Sequence, residues 1–589
     1  MDQPEFSSVG SLSGGAAAGG ASQTTSHVTA QPQWQPGPDQ DTSDILVQTL
    51  IDWGVSHVFG IVGDGIGPLI EALRKRQTEI TYVGVRHEES AAFMAGGLAR
   101  HSGRLGACVA TTGPGAIHLL NGLYDSAFDG APVIAITGTT FHDLQGMRFF
   151  QGVNTIKLME SVALFNEQVT GPAHALLIGN RACRAALGGR GVAHLTVGKD
   201  TQAMKVSMDK PSMENHGGQT SSSWMPPKGT PPMEQLKAAA DLINAGTRVA
   251  ILAGQGCLAA PAEVERLAET LAAPVAKAYL AKALLPDDHP LTTGGIGKLG
   301  TLPSWWTMHN CDTLLILGST MPWINYYPSP GQARGVQIDL VPDRIGLKYP
   351  VEVGLVGDIK ATLEALQPLL TRKSDRAFLA EAQKQMDDWR KLLDQVVSTQ
   401  KGPRLRPQTA IRALSDLAPD NAMFSVDCGT ITHYAARILQ IRQGQSFTGT
   451  GTLVSMAAGL PTAIGAAFAH PDRPSIGIAG DGGFAMLMAE LSTAVVHQLN
   501  VKMLVLNNDA LGEVISEQKE MGFGEYGCRL GHMDFAAFAE SVGAKGFRVS
   551  HVGELASTMQ AWLAEPGPAL LDVQTDPDEA PKEPWDLEA

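Results

Sequence analysis

One arrangement in this sequence has residue types and spacing that suit a metal and diphosphate site. The run GDGG at 480–483 follows one short apolar segment, and an Asn pair at 507–508 follows the next. In a strand, helix, strand arrangement, Asp481 and Asn508 come just after the carboxyl ends of neighbouring parallel strands, where α/β folds bind ligands. Carboxylate and amide oxygens, with phosphate oxygens, are ligands that Mg²⁺ accepts. A tight turn with a capping Asp would explain GDGG alone, but the Asn pair at this distance favours the metal site.

The glycines on either side of Asp481 support the same interpretation. They allow the backbone to approach a diphosphate, and the helix that we predict to begin near Phe484 offers its positive end to that group.

Composition limits the function classes that remain. The chain has 589 residues, 65 of them Gly, and 17% are charged, whereas soluble domains carry roughly 25% charge and about 7% Gly. At roughly 150 residues per domain, this length predicts two to four domains and excludes a small disulfide scaffold. A net charge of -15 provides no basic surface for nucleic acid or an anionic membrane. We therefore expect small-molecule partners.

Cysteine usage and the amino terminus suggest the cellular location. The six cysteines are scattered singly, without metal-ligand or disulfide spacing, which suits a reducing cytoplasm. Residues 1–40 contain no Lys or Arg and no apolar run, so they lack the regions of a signal peptide. We predict a cytoplasmic protein with a disordered amino-terminal tail.

The elements that must position the site fall into three predicted globular blocks at 41–200, 232–370 and 405–577. A segment rich in Pro, Ser and Gly at 201–231 is predicted to be a linker, a charged helical segment at 371–404 to be a second one, and 578–589 to be a tail. In each block, β-branched apolar runs alternate with segments of helical length. This pattern predicts three doubly wound α/β domains with parallel sheets. The first and third share a strand, glycine turn, helix, strand rhythm that suggests two versions of one unit.

The GDG run followed by the Asn pair resembles the signature of thiamine diphosphate enzymes. The resemblance implies that Asp481, the Asn508 side chain and the backbone carbonyl of Ala510 hold Mg²⁺ against the cofactor diphosphate. It also implies pyrimidine-binding, central and diphosphate-binding domains in that order. In this family the active site is shared between subunits, so a homodimer or homotetramer is expected.

Glu88, in the segment VRHEESAAFMAGGLARHSG, is similar to the glutamate of this family that activates the aminopyrimidine ring. Such a carboxylate can favour the ring tautomer that removes the thiazolium C2 proton, a general acid-base task. An acidic residue stabilised by a helix dipole would explain Glu88 alone, but the GDG and Asn motifs favour the catalytic role.

Further site residues are implied by the same resemblance. Gln151, in RFFQG, matches a residue lining the active site, although any amide beside a buried aromatic would look the same. Glu517 matches an active-site glutamate, although surface Glu is common in helices. The cofactor-binding positions, with Met456 bracing the bent cofactor, are Gly63, Gly113, Pro114, Gly115, His118, Gly429, Thr430, Val454, Ser455, Met456, Gly482, Gly483, Leu511 and Gly512.

Within the family, the chain is most similar to the pyruvate oxidase and pyruvate:quinone oxidoreductase group, on the segment GAIHLLNGLYD and the run Asp427 to Thr430. The central block then resembles a domain that binds FAD, with candidate contacts at Ile296, Gly297, Lys298, Leu299, Ser319, Thr320, Asp339 and Asp358. Gly254-Gln255-Gly256 imitates a dinucleotide fingerprint, but the acidic residue expected about 20 positions later is absent. We interpret it as a close-packed turn rather than an NAD site.

Two features depart from this group. Where its members carry an aromatic residue near both cofactors, this chain has Glu513, which disfavours fast electron transfer to flavin. The carboxyl terminus, EAPKEPWDLEA, lacks an amphipathic membrane-binding segment.

We therefore expect an enzyme that oxidatively decarboxylates a 2-oxo acid, pyruvate first among them, with thiamine diphosphate, Mg²⁺ and FAD and with oxygen or a quinone as acceptor. The alternative is a non-oxidative carboligase or C-C lyase with structural or absent FAD. A non-catalytic metabolite sensor is a third hypothesis, which the presence of Glu88, Asp481 and Asn508 disfavours.

Overall fold

Three six-stranded parallel sheets, each covered by helices, form the core of the protein. The computed structural model describes residues 36–215, 220–399 and 404–587. Central strands such as Val133–Thr139 are buried along their whole length, as expected where helices cover both faces of a parallel sheet. The predicted class of three α/β domains is confirmed.

The first sheet has the strand order β2-β1-β3-β4-β6-β5. Its strands are β1 His57–Gly60, β2 Thr81–Gly84, β3 Gly106–Ala110, β4 Val133–Thr139, β5 Ala163–Val169 and β6 Val192–Gly198. Its helices are α1 Thr42–Asp52, α2 Gly67–Lys75, α3 Glu88–Ser102, α4 Pro114–His118, α5 Leu120–Phe128, α6 Thr155–Met159, α7 Pro172–Gly189 and α8 Lys199–Gln202.

The central sheet has the order β12-β11-β10-β7-β8-β9. Its strands are β7 Val249–Ala253, β8 Val275–Lys277, β9 Thr292–Gly295, β10 Thr313–Leu317, β11 Arg334–Asp339 and β12 Val353–Val356. The helices around it are α9 Met233–Ala245, α10 Pro261–Leu271, α11 Leu302–Asn310 and α12 Ile359–Leu366, and the long helix α13 Ala377–Ser398 follows.

The third sheet has the order β14-β13-β15-β16-β18-β17. Its strands are β13 Met423–Val426, β14 Ser446–Gly449, β15 Ser475–Gly480, β16 Val501–Asn507, β17 Lys545–Val549 and β18 Ala569–Gln574. Its helices are α14 Pro407–Leu417, α15 Thr430–Ile438, α16 Gly459–Ala469, α17 Asp481–Leu487, α18 Leu491–Val496, α19 Gly512–Glu520, α20 Phe535–Ser541 and α21 Val552–Ala564.

The strand orders relate the domains to one another. Counted from its own first strand, each of the first and third sheets has the order 2-1-3-4-6-5, which confirms that they are two versions of one unit. The central sheet instead has the order 3-2-1-4-5-6, which is typical of dinucleotide-binding folds.

Helices α3 and α16 join the first and third domains through a glycine contact. A Cβ atom at Gly97 would lie 2.6 Å from the backbone oxygen of Thr462, and one at Gly465 would lie 2.2 Å from that of Met94. The two backbones therefore touch directly. This packing holds the middle of α3 against the third domain.

The carboxyl-terminal segment after β18 packs on both later domains. Glu579 pairs with Arg406, Glu583 accepts a hydrogen bond from the Tyr326 hydroxyl, and the Trp585 ring stacks on that of Tyr326. Within the described part of the chain, we find no helix with the length and apolar character needed to cross a membrane.

Candidate active site

Asp481 and Asn508 meet at the carboxyl edge of the third sheet. Asp481 directly follows β15 and is the first residue of α17, so this helix begins three residues before the predicted start at Phe484. Asp481 Oδ2 and Asn508 Oδ1 accept hydrogen bonds of 3.1 and 3.2 Å from the same donor, the backbone N–H of Ala510. The structure thus brings the three predicted metal ligands together.

The Asp481 carboxyl group is poorly solvated. It belongs to a residue that is only 5% exposed, and burial raises the pKa of Asp481 to about 6, with the nearby Asp509 adding to the effect. A divalent cation at this carboxylate would reverse that shift, because it favours the ionised form. The site's electrostatics therefore suit a bound cation.

Small residues let the loop after β16 approach α17. Asp509 adopts the left-handed backbone region at φ 57°, and the N–H of Leu511 donates to the backbone oxygen of Cys528. A Cβ atom at Gly482 would lie 2.7 Å from Leu511 Cδ2, and one at Gly512 would lie 2.9 Å from Asn508 Nδ2. Side chains at these glycines would displace the ligand loop.

Other predicted cofactor positions surround this loop. Met456 Cε lies 3.4 Å from the position of a Cβ atom at Gly482, and Thr430 Cγ2 lies 3.3 Å from one at Gly512. Gly429 and Val454 both have positive φ angles, of 119° and 57°. Val454 is not a glycine, so its positive φ angle is strained, and backbone strain of this kind concentrates at functional sites.

Glu88 lies at the carboxyl edge of the first sheet, where α3 begins. It is 7% exposed, and its Oε2 lies 3.0 Å from Nδ1 of His118. A Cβ atom at Gly115 would lie 3.0 Å from Glu88 Oε1, and one at Gly113 would lie 2.6 Å from the backbone oxygen of Gln151. The structure therefore gathers these five predicted residues into one cluster.

A charged cluster connects the central and third domains. Oε1 of Glu513 lies 3.3 Å from Nζ of Lys298 and 3.3 Å from Nε2 of His433. Burial opposes ionisation of Glu513, but the hydrogen bond from His433 and the charge of Lys298 hold its pKa below the ordinary value. Lys298 belongs to the loop after β9, so this predicted flavin-binding loop lies beside the metal-ligand loop.

Comparison with known proteins identifies the family. Three models of the thiamine pyrophosphate enzyme match: the N-terminal TPP binding domain at residues 40–158, the central domain at 236–366, and the C-terminal TPP binding domain at 427–573. The chain belongs to the thiamine pyrophosphate enzyme family. The clusters at Glu88 and Asp481 lie in its two TPP-binding domains.

Curated relatives extend along most of the chain. A protein of Bacillus subtilis (strain 168), described by its name as thiamine pyrophosphate-containing, is 38% identical over 90% of this chain and 90% of its own length. Pyruvate oxidase of Lactiplantibacillus plantarum is 28% identical over 90% of this chain and 87% of its own. Acetolactate synthase isozyme 1 large subunit of Escherichia coli is 29% identical over 91% and 94%.

The described residues fit the cofactor of this thiamine pyrophosphate enzyme. A buried carboxylate and an amide oxygen are directed at one point, and each oxygen keeps a lone pair beyond the one that Ala510 uses. Gly480, directly before α17, has no atom within 4 Å of the position of a Cβ atom, so a phosphate can approach the helix amino terminus there. Together these groups provide the donors that Mg²⁺ and a diphosphate require.

Several predicted residues have local structural partners instead. Asp358 caps α12 by accepting from the N–H of Ala361, and Asp339 accepts from that of Val341. The buried Ser319 hydroxyl accepts from the N–H of Met321. The cofactor roles of these residues remain predictions, as do those of the neighbouring positions Ile296, Gly297, Leu299 and Thr320.

Two further predicted site residues, Glu517 and Gly63, and the turn at Gly254 can also be placed. Glu517 is exposed on α19, and a Cβ atom at Gly63 would lie 2.5 Å from Thr111 Cβ. A Cβ atom at Gly254 would lie 2.1 Å from the backbone oxygen of Gly318, which confirms that the turn after β7 is close-packed.

Two residues of the enzyme were missed by the sequence analysis. Asn121 Nδ2 donates to Oε1 of Glu89 and to Oγ of Ser455, at 2.6 and 2.7 Å. Glu490 bonds the backbone just before Glu88. The bond of Asn121 to Ser455 spans 334 positions and that of Glu490 to Arg86 spans 404, so no local motif reveals them.

Proposed function

We propose that this enzyme oxidatively decarboxylates a 2-oxo acid, pyruvate, using thiamine diphosphate, Mg²⁺ and FAD, and passes the electrons to oxygen or a quinone. One contact carries the proposal. The bond between Lys298 and Glu513 places the candidate flavin-binding loop next to the loop that holds Asn508 and Ala510. The strand order of the central sheet, which is typical of dinucleotide folds, supports the same assignment.

The residues of this chain have separate tasks in that reaction. Asp481, Asn508 and Ala510 would hold Mg²⁺, while the amino terminus of α17 would bind the diphosphate. Glu88 would hold a proton at the pyrimidine nitrogen, with His118 at 3.0 Å orienting its carboxylate. Thiamine diphosphate supplies a nucleophilic carbon and an electron sink for loss of CO₂, and FAD supplies an electron acceptor.

A second candidate function is non-oxidative ligation or lysis of a C-C bond. Glu513 favours it, because the resemblance expects an aromatic residue near both cofactors at this position. The acetolactate synthase relative is also as similar to this chain as the pyruvate oxidase is.

One anaerobic experiment separates the candidates. Purified protein loaded with thiamine diphosphate, Mg²⁺ and FAD is mixed with pyruvate, while flavin absorbance, CO₂ and acetolactate are measured. We expect the flavin band to bleach as CO₂ is released. Release of CO₂ with an oxidised flavin and with acetolactate as product would select the second candidate. No CO₂ from any 2-oxo acid tested would favour the non-catalytic sensor.

Exposed apolar side chains support the proposed homodimer or homotetramer. Phe150, in the Gln151 loop, is exposed, as are Phe523 and Tyr526 after α19. Phe149 is exposed directly beside Phe150, and contiguous exposed apolar surface on a monomer marks an interaction site. All six cysteines are unpaired, which supports the proposed cytoplasmic location.

A further inference from the structure

We propose that Glu490 is a positioning residue that sets the geometry of Glu88. The inference rests on the proposed role of Glu88 and concerns a contact that crosses from the third domain to the first. Glu490 is a buried carboxylate that has no role in the proposed reaction, and the inference gives it one.

The contact is made to the backbone immediately before Glu88. Oε1 of Glu490 accepts hydrogen bonds from the backbone N–H groups of Arg86, at 2.7 Å, and of His87, at 3.1 Å. Its Oε2 accepts one of 2.8 Å from the Thr493 hydroxyl. Glu490 is 0% exposed, so both carboxylate oxygens are used inside the protein.

These bonds restrain the position of the catalytic carboxylate. The N–H groups of Arg86 and His87 precede the first residue of α3, so they lie outside the hydrogen bonds of that helix. Bonds from backbone N–H groups to a carboxylate are among the stronger ones. Glu88 therefore cannot shift without stretching two charge-assisted bonds. Displacement of a catalytic group by 1 Å can lower a rate by about 10²-fold.

The same contact connects the Glu88 cluster of a chain with the Asp481 cluster of that same chain, and in the expected dimer these two clusters serve different active sites. Glu490 ends the short 3-10 turn Met488–Glu490, which continues directly from α17. Helix α17 begins with Asp481. The backbone before Glu88 is therefore held by the element that carries the proposed metal ligand.

A second, more exposed link between the same segments provides a matched control. Nε of Arg86 donates to the Ser492 hydroxyl at 3.1 Å. Ser492→Ala removes this side-chain bond but leaves both backbone bonds to Glu490. Glu490→Gln keeps a carbonyl oxygen for the two N–H groups and presents its amide to the Thr493 hydroxyl, so it removes the charge alone.

The test combines these variants with Glu88→Gln in the full-length protein. Decarboxylation kinetics, calorimetric affinity for thiamine diphosphate with Mg²⁺, and hydrogen exchange of the peptide containing Arg86 and His87 are measured. We expect Glu490→Ala to lower kcat/KM by about 10²-fold and to speed exchange of that peptide. Glu490→Gln and Ser492→Ala should stay within about threefold of wild type, as expected when no catalytic coupling is broken.

The double variant decides between positioning and general stability. If Glu490 acts through Glu88, Glu490→Ala should lower the residual activity of Glu88→Gln by less than about threefold. An equal loss in both backgrounds, or unchanged exchange of the Arg86 and His87 peptide in Glu490→Ala, would overturn the inference and leave the proposed function intact. Full activity of Glu88→Gln would instead overturn the role of Glu88, and this inference with it.

Discussion

Asp481 Oδ2 and Asn508 Oδ1 share one hydrogen-bond donor, the backbone N–H of Ala510, at 3.1 and 3.2 Å. A carboxylate from the start of one helix and an amide from the end of the next strand therefore point at the same place. The shared donor keeps the two oxygens together before any cation binds. This preorganisation lowers the entropic cost of assembling a cation site.

Asp481→Ala should abolish binding of thiamine diphosphate that depends on Mg²⁺. The variant loses the buried carboxylate that shares the Ala510 donor with Asn508, so we expect the dissociation constant to rise at least about 100-fold, or about 2.7 kcal/mol. Isothermal titration calorimetry with and without Mg²⁺ measures it. The control is Asp509→Asn. Asparagine tolerates the left-handed backbone that Asp509 adopts at φ 57°. Wild-type affinity in Asp481→Ala would remove this residue from the metal site.

The bond between Lys298 and Glu513 should couple the central and third domains. Both side chains are partly shielded from solvent, so we expect a coupling energy of about 1 kcal/mol between Lys298→Met and Glu513→Gln in urea unfolding. Arg334→Met and Glu352→Gln form a matched exposed pair within the central domain, with an expected coupling below about 0.5 kcal/mol. Strictly additive losses for Lys298 and Glu513 would show that the contact contributes nothing to domain association.

The same pair should influence the flavin. Glu513→Gln removes a negative charge beside the proposed flavin-binding loop, and a less negative surrounding makes a flavin easier to reduce. We expect a higher midpoint potential of the bound flavin, measured by anaerobic photoreduction against a reference dye. Glu525→Gln, a surface charge paired with Arg529, is the control. An unchanged potential in Glu513→Gln would place the flavin away from this cluster.

Local signals in the sequence predicted the fold class and the meeting of Asp481 with Asn508 at one edge of a sheet. Asp481 and Asn508 each directly follow a buried strand, and neighbouring parallel strands bring such positions together without further information. Glu88 and His118 were recognised singly by resemblance, but their contact depends on how α3 and α4 pack. The Glu490 contact spans 404 positions, and the Glu513 contact with Lys298 spans 215. Such contacts arise from domain packing, which no local pattern encodes.

Gly465→Ala should destabilise the contact between α3 and α16. The new methyl group would lie 2.2 Å from the backbone oxygen of Met94, and backbone cannot rotate away as a side chain can. We expect a loss of about 3 kcal/mol or more in the free energy of unfolding, measured by urea titration. Gly553→Ala, in helix α21 with no atom within 4 Å of the new methyl, should instead stabilise by about 0.5–1 kcal/mol. Equal effects of the two variants would mean that α3 and α16 do not pack this closely.

Acid should destabilise the protein through its buried histidines. Burial lowers the pKa of His101 and of His194 to about 3 and that of His57 to about 4. The folded state thus favours the neutral rings, whereas the unfolded chain takes up protons below about pH 6.5. The associated stability is fully present above that pH and is lost as the pH falls to about 4 for His57 and to about 3 for His101 and His194. Each histidine should contribute a slope of about 1.4 kcal/mol per pH unit.

His194→Gln tests this prediction most directly, because His194 is bonded only inside the first domain. Its ring bonds the Thr137 hydroxyl at 2.8 Å and Asn166 Oδ1 at 2.7 Å, and a glutamine amide can replace a donor and an acceptor without titrating. Urea unfolding at pH 7.5, 6.0 and 5.0 should show a slope smaller by about 1.4 kcal/mol per pH unit than in the wild type. His142→Gln is the control, because Asp200 holds the pKa of the exposed His142 above its ordinary value. This control should keep the acid loss, and a wild-type slope in His194→Gln would show that His194 is protonated in the folded state.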